Sequence, residues 1–317
     1  MKFPVFDLHC DTALELLRAD TKNPCSLRKN KLHIDLERAA TLDGFCQCFA
    51  CFTTPDMEQW GFGSPIDIFE KELETIRREL AINDDLISQV YSAKEITENL
   101  SKRKMSAILT IEGPAGFDYN PALLEDLYQI GFRITTLGWN ESSPLTGSHK
   151  TGGGLTDLGR EYVKEAQRLG MLIDVSHISD EGFWDIMNIT EAPIIATHSN
   201  SRAICQTSRN LTDEMFLEIC NTGGVAGFNQ YADFIGNHAD METVCRHFLH
   251  FLELDPSAKH IALGGDLDGC ERLAEGFCGV EDYAKLADVL LSCGLCEDNV
   301  RNIFWNNAMG VMQKCCM

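Results

Sequence analysis

His9 and Asp11, close to the N-terminus, are both side-chain types that ligate divalent metals, and one residue separates them. They close an apolar run, Phe3 to Leu8, of the kind that forms a buried parallel strand. On a strand, positions i and i+2 leave on the same side, so an imidazole nitrogen and a carboxylate oxygen can share one cation. Taken alone, the pair reads more readily as a hydrogen-bonded core histidine followed by a helix-capping aspartate. The metal reading therefore demands more: other ligand types should close other strands at the same rim.

Four further apolar runs end in that way. Ile108-Leu-Thr-Ile-Glu112 stops at a carboxylate, Met171-Leu-Ile-Asp-Val-Ser-His177 and Pro193-Ile-Ile-Ala-Thr-His198 stop at histidines, and Ile261-Ala-Leu-Gly-Gly-Asp266-Leu-Asp268-Gly269 ends in two aspartates. Each has an ordinary reading: Glu112 as a solvated loop acid, His177 and His198 as helix caps, Asp266 as a turn cap. Jointly those readings weaken, because the other six histidines fall in helical or loop segments. Two histidines, a His-x-Asp pair and a further glutamate are a sensible inventory for two metals bridged by a carboxylate. The chemistry expected is that of a binuclear hydrolase, in which a hydroxide bridging two divalent ions attacks a carbonyl.

The elements that must position these residues alternate. Strand-like segments are expected at 3–8, 46–53, 106–111, 132–137, 171–175, 193–197, 224–228 and 260–265. Amphipathic helices are expected at 66–82, 120–130, 156–169, 179–189, 212–220, 239–252 and 281–293, with a last one near 296–313. Ser179 and Thr212, each followed by acids, read as N-caps. Apolar strands each followed by a helix argue for a parallel sheet covered on its outside, and eight such units in 317 residues predict an α/β fold of the (β/α)8, or TIM, barrel type. Barrel enzymes keep their chemistry at the C-terminal mouth, where all five ligand-bearing runs would end. A doubly wound open sheet is the rival architecture, but no glycine-rich phosphate-binding element follows any strand. No repeat, linker or change of composition divides the chain, so one domain over 1–317 is expected. The segment 138–155, rich in Gly, Ser and Thr, is read as an irregular loop shaping the site.

Composition removes several function classes. Against 27 basic residues stand 48 acidic ones, a formal net charge of −21, which repels phosphate backbones and anionic lipid. Nucleic acid is not expected as a partner, and neither is a membrane, since no apolar run approaches the roughly 20 residues of a bilayer span. A cytoplasmic location is expected, with no secretory leader in view. The 14 cysteines, scattered through an enzyme-sized chain, are read as reduced thiols. Cys46, Cys48 and Cys51 sit in a strand-like run without paired C-x-x-C spacing, against a zinc knuckle. Cys315-Cys316 reads as a frayed tail.

The motifs, in order, resemble those of the membrane (renal) dipeptidase family: Phe6-Asp-Leu-His9-Cys-Asp11-Thr12, Ile111-Glu112-Gly113, Leu172-Ile-Asp-Val-Ser-His177, Ala196-Thr-His198-Ser199, Ser208-Arg209-Asn210 and Gly264-Gly-Asp266-Leu-Asp268-Gly269. These are zinc peptidases on amidohydrolase-like barrels. The resemblance implies that His9 and Asp11 bind one Zn2+, that His177 and His198 bind the other, and that Glu112 bridges them. It implies Arg209 as a substrate contact and Asp266, ahead of Asp268, as the acid–base residue, with a dipeptide as the small substrate. One departure stands out: well-studied members carry Leu-Thr-His after the fourth strand, whereas this chain reads Thr136-Leu137-Gly138-Trp139-Asn140, as in a bacterial-type branch. Trp139 can donate one hydrogen bond but cannot become cationic, and is expected to touch substrate; His149, in the following loop, is a candidate substitute for the missing histidine. The alternatives kept open are a binuclear hydrolase of another small amide, such as an N-acyl amino acid, and a metal-binding barrel without turnover. A homo-oligomer is compatible with such a barrel, and no residue pattern indicates one.

Overall fold

The computed structural model describes residues 3–20 and 25–315. All eight expected strands form: β1 (Val5–Cys10), β2 (Phe45–Phe52), β4 (Met105–Glu112), β5 (Phe132–Thr135), β6 (Leu172–Asp174), β7 (Ile194–Ile195), β8 (Ala226–Phe228) and β9 (Ile261–Leu263). A ninth, β3 (Ile87–Gln89), is too short to show in the apolar pattern. It pairs with the first half of β4, on the edge whose second half carries β5. All pairings are parallel, in the order β7-β6-β5-β4-β2-β1-β9-β8, and a parallel bridge between Ala196 and Ala226 joins the two ends. The result is the barrel that the alternation of elements predicts.

Inside, Phe6, Leu8, Cys46, Cys48, Ile108, Ile134, Leu172 and Ile195 form one cluster, closed by Trp305, Met309 and Met312 of the C-terminal helical segment. The helices occupy the expected segments, with Ser179 and Thr212 capping theirs by accepting from Gly182 and Met215 N–H. Four short helices, Thr12–Asp20, Leu36–Ala39, Ala93–Ser101 and Ala232–Ile235, lie outside the expected segments, and the last expected helix contains a π-helical turn at Asn302–Asn306.

The cysteines depart from expectation at one pair. Cys245 and Cys293, on the helices Met241–Leu254 and Tyr283–Ser292 or just beyond, are joined as a disulfide. Their separation of 48 residues hides the contact, which only the packing of these two helices creates. Cys46 and Cys48 point into the barrel cluster while Cys51 belongs to the surrounding core, so the three thiols of β2 do not share a face. Cys315 ends a helix and packs against the barrel cluster rather than fraying, and Cys316 lies outside the described residues.

Candidate metal centre

Each ligand-type residue is set at the rim by a local feature of its strand. β1 carries one extra residue against β2 between Asp7 and Cys10, a bulge that re-aims the chain where Leu8 points into the barrel and His9 reaches the rim. Glu112 is the last residue of β4, and Gly113 follows with φ +77. A Cβ there would lie 2.1 Å from the Thr53 carbonyl oxygen, so only glycine lets the chain turn away beneath Glu112. His177, Asp266 and Asp268 all hold left-handed backbones, with φ of 72, 55 and 67. Non-glycine residues avoid that region, and strain of this kind gathers where a side chain's aim matters more than its comfort.

The six residues His9, Asp11, Glu112, His177, His198 and Asp266 converge, all at 8 % exposure or less. His9 Nε2 lies 3.4 Å from Asp11 Oδ2, 3.3 Å from Glu112 Oε2 and 3.9 Å from Asp266 Oδ1. The other glutamate oxygen, Oε1, lies 2.9 Å from His177 Nε2 and 3.7 Å from His198 Nε2. Ligand atoms of His9, Glu112 and His198, and of His9, Asp11 and Asp266, fall within 4.8 Å of one another.

The hydrogen bonds behind the histidines fix which nitrogen faces the centre. Thr197 Oγ1 donates to Asp174 Oδ2 at 2.5 Å and so accepts from His198 Nδ1–H at 2.7 Å. His177 Nδ1–H donates to Asn140 Oδ1 at 3.1 Å. Both Nε2 atoms are then lone pairs, and they face each other at 3.0 Å. Two lone pairs so placed repel unless a cation lies between them, and metal-ligating histidines are held through their second nitrogen in this manner. His9 Nε2 and Asp11 Oδ1 are buried with no hydrogen-bond partner. A Cβ on Gly269 would come within 2.1 Å of Asp11 Oδ2 and 2.4 Å of Asp266 Oδ1, so that glycine keeps open the space between the two carboxylates. Orphaned ligand atoms, a cleared cradle and a nitrogen–oxygen donor set fit divalent cations.

The ionisable groups of the centre shift one another's protonation. Burial, reinforced by Asp11, pushes the Glu112 carboxyl up to about 8. Burial works against a charged His9, but the Glu112 and Asp11 carboxylates outweigh it and raise its pKa well above the ordinary imidazole value. His177 and His198 go the other way: burial, with Arg209 and neighbouring imidazoles, holds them neutral. Neutral imidazoles are the form that binds metal.

A cavity of about 550 Å³ opens over the centre, with Asp11, Glu112, His177, Asp266, Asp268 and Trp139 in its lining. Asp266 Oδ2 accepts from Asn229 Nδ2 at 3.0 Å, which leaves Oδ1 on the His9 side. Asp268 is committed elsewhere: it accepts from Thr12 Oγ1 at 2.7 Å and from the His33 N–H at 2.6 Å, pinning a neighbouring loop. Arg209 is 3 % exposed, donates to Ser199 Oγ at 2.6 Å, and has no partner for Nε or Nη2. His149 is not at the missing histidine's place. It stands behind His177, with Nε2 2.8 Å from Asn140 Oδ1 and Nδ1 3.0 Å from Ser208 Oγ, and burial lowers its pKa to about 4.

Four residues at the site were missed by sequence reasoning: Asp7, Asn140, Asp174 and Asn229. Asp7 accepts from the His9 and Gly265 N–H groups, each at 3.0 Å, and from Tyr283, so it ties the ends of β1 and β9. Asp174 ties β6 to β7 through Ser176 N–H and Thr197 N–H, each at 2.9 Å. Both are carboxylates inside apolar runs, and that mismatch was the available signal.

The family model described as membrane dipeptidase matches residues 1–316. An uncharacterized dipeptidase of Schizosaccharomyces pombe is 30% identical over 309 residues, covering 90% of this chain and 73% of its own. An uncharacterized protein in the pqqA 5′ region of Klebsiella pneumoniae is 30% identical over 265 residues, covering 79% of this chain and 97% of its own. Among solved structures, a metallo peptidase from Rhodobacter sphaeroides, liganded with a phosphinate mimic of L-Ala-D-Ala, shares the fold with a TM-score of 0.88 at 24% identity, over 99% of this chain and 100% of that one. No helix among the described residues is long and apolar enough to cross a membrane. The chain belongs to the membrane dipeptidase family, and is a hydrolase of the metallo-dipeptidase type.

Proposed function

We propose that this chain hydrolyses the peptide bond of dipeptides with two divalent ions, zinc by the nitrogen and oxygen donor set. In this reading His9 and Asp11 hold one ion, His177 and His198 the other, and Glu112 spans both. The observation that carries it is the opposed aim of the two Glu112 oxygens, Oε2 toward His9 at 3.3 Å and Oε1 toward His177 at 2.9 Å. Bound there, the ions would supply an acidified water as nucleophile and Lewis-acid polarisation of the scissile carbonyl.

The other tasks fall to side chains. Asp266, held by Asn229 at one oxygen, offers the other to take a proton from the attacking water and return it to the leaving amine. Burial raises its pKa, which suits a group that must both accept and release a proton. Arg209 carries two unpaired N–H groups in a planar fork that matches a C-terminal carboxylate. Trp139 lines the cavity with its ring centroid 6.0 Å from that of His177, and can offer substrate an apolar face and one N–H.

The test is hydrolysis of a dipeptide panel, with both L and D residues at the C-terminal position, by protein loaded with zinc. Release of free amino acids that stops on chelation is expected. If dipeptides remain intact while N-acyl amino acids are cleaved, the substrate is a different small amide. If the loaded protein cleaves neither, it is a binding barrel and the proposal fails.

A further inference from the structure

A buried cation, Arg209, stands behind the wall of the cavity that Phe234 lines. Arg209 lies in the segment after β7, and its guanidinium stacks on Phe234, 5.6 Å from the ring centroid, in the segment after β8. Leu14 follows β1, Phe52 closes β2, Trp60 and Phe62 follow it, and Trp139 follows β5. In the closed order β7-β6-β5-β4-β2-β1-β9-β8, β2 stands diametrically across the ring from β7. Across the cavity from Arg209, Phe52, Trp60, Phe62 and Trp139 form a continuous group of rings, larger than the Tyr231–Phe234 pair on its own side. Trp139 packs edge-to-face on Phe52 at 5.1 Å and on Trp60 at 5.6 Å, and Trp60 on Phe62 at 6.5 Å. Leu14 and Phe52 rest on Met57 and Ile68, which gives the wall an apolar backing. Trp60 lines the cavity yet remains 46 % exposed. Arg18, stacked 5.2 Å from the centre of the Phe62 ring, is paired with Glu15, so this cation is already matched.

We propose that this aromatic wall receives the side chain of the substrate's N-terminal residue, and that the enzyme selects dipeptides whose first residue is large and apolar, aromatic residues included. The inference rests on the dipeptidase reading. A dipeptide with its C-terminal carboxylate at Arg209 and its amide over the metal centre extends its first side chain toward the opposite rim, and a cavity of about 550 Å³ has room for one of Phe or Trp size. Such a side chain leaves water for the faces of Trp60, Phe62 and Trp139, a preference that Gly or Ala cannot obtain.

The experiment compares kcat/KM over an X-Ala series, with X as Gly, Ala, Leu, Phe and Asp, and over the reversed Ala-X series, on zinc-loaded protein. Phe-Ala and Leu-Ala are expected to exceed Gly-Ala by about tenfold or more, the scale set by an apolar pocket. Trp60→Ala and, independently, Phe62→Ala should shrink the Phe-Ala to Gly-Ala ratio several-fold, and Trp60→Phe should preserve most of it. A flat X-Ala series, a maximum at Asp-Ala, a preference that follows the second residue instead, or a ratio unmoved by Trp60→Ala would overturn the proposal while leaving dipeptide cleavage intact. Absence of product from both series would overturn the dipeptidase reading itself.

Discussion

Asn140→Leu isolates the support behind His177, one of the residues proposed to hold a metal ion. Asn140 Oδ1 accepts two hydrogen bonds, from His177 Nδ1–H at 3.1 Å and from His149 Nε2–H at 2.8 Å. Leucine has nearly the same shape and no acceptor. His177 is buried, so its Nδ1–H loses its partner without water to replace it, at about 1–3 kcal/mol. His149 is more open and can turn to solvent. Because Asn140 touches neither His9 nor Asp11, the loss should fall on the ion held by His177 and His198, whose affinity should drop by about 10- to 100-fold. Competition against a graded series of chelators, read as metal per chain, would separate one weakened ion from one unaffected. Asn140→Asp keeps an acceptor and should restore most of the affinity. If Asn140→Leu holds both ions as tightly as the parent, or loosens both equally, the tautomer assignment for His177 is wrong.

Asp266→Asn should retain both metals while kcat falls by at least about a hundredfold, the usual loss for a general acid–base group; undiminished turnover removes Asp266 from the mechanism. Metal uptake should be proton-linked. Glu112 titrates near 4.5 when unfolded and is pushed to about 8 in the metal-free fold, so between those values the folded state holds a proton that the unfolded chain has lost. Stability of the metal-free protein should therefore decline as pH rises from about 4.5 to about 8, and zinc binding at pH 6.5 should release at least one proton per chain. Calorimetry in buffers of different ionisation enthalpy reads that number, and zero would contradict the charge assignment. Gly113→Ala places a Cβ on the Thr53 carbonyl at φ +77, and should cost about 2 kcal/mol or more, seen as a lowered Tm and weakened metal binding through the adjacent Glu112. A Tm within a degree of the parent would refute it.

The barrel was legible because its eight main strands are buried throughout, so they read as largely apolar runs, and five of them lead into a histidine, aspartate or glutamate. β3 was not legible because three residues carry no periodicity, and the Cys245–Cys293 disulfide because it depends on how two helices pack. The residues that converge at the rim were readable from residue type at strand ends. Their supports were less so: Asn140 lies in an irregular loop beside Trp139, and its meaning appears only when His177 and His149 are brought against it. Asp7 and Asp174 were visible as carboxylates in apolar runs, yet nothing in the one-dimensional pattern says which backbone N–H groups they would meet. His149 shows the limit from the other side: its residue type suited the missing histidine, and its position ten residues later in the loop placed it behind His177 rather than in the lining of the cavity.

The most direct measurement is metal stoichiometry after dialysis against zinc and removal of free ion, on the parent chain and on Glu112→Ala. The account predicts two zinc ions per chain in the parent and no more than one after Glu112→Ala, because it assigns to this carboxylate, whose oxygens face His9 and His177, a hold on both ions. A parent that holds a single ion, or a variant that keeps two with undiminished affinity, would contradict it.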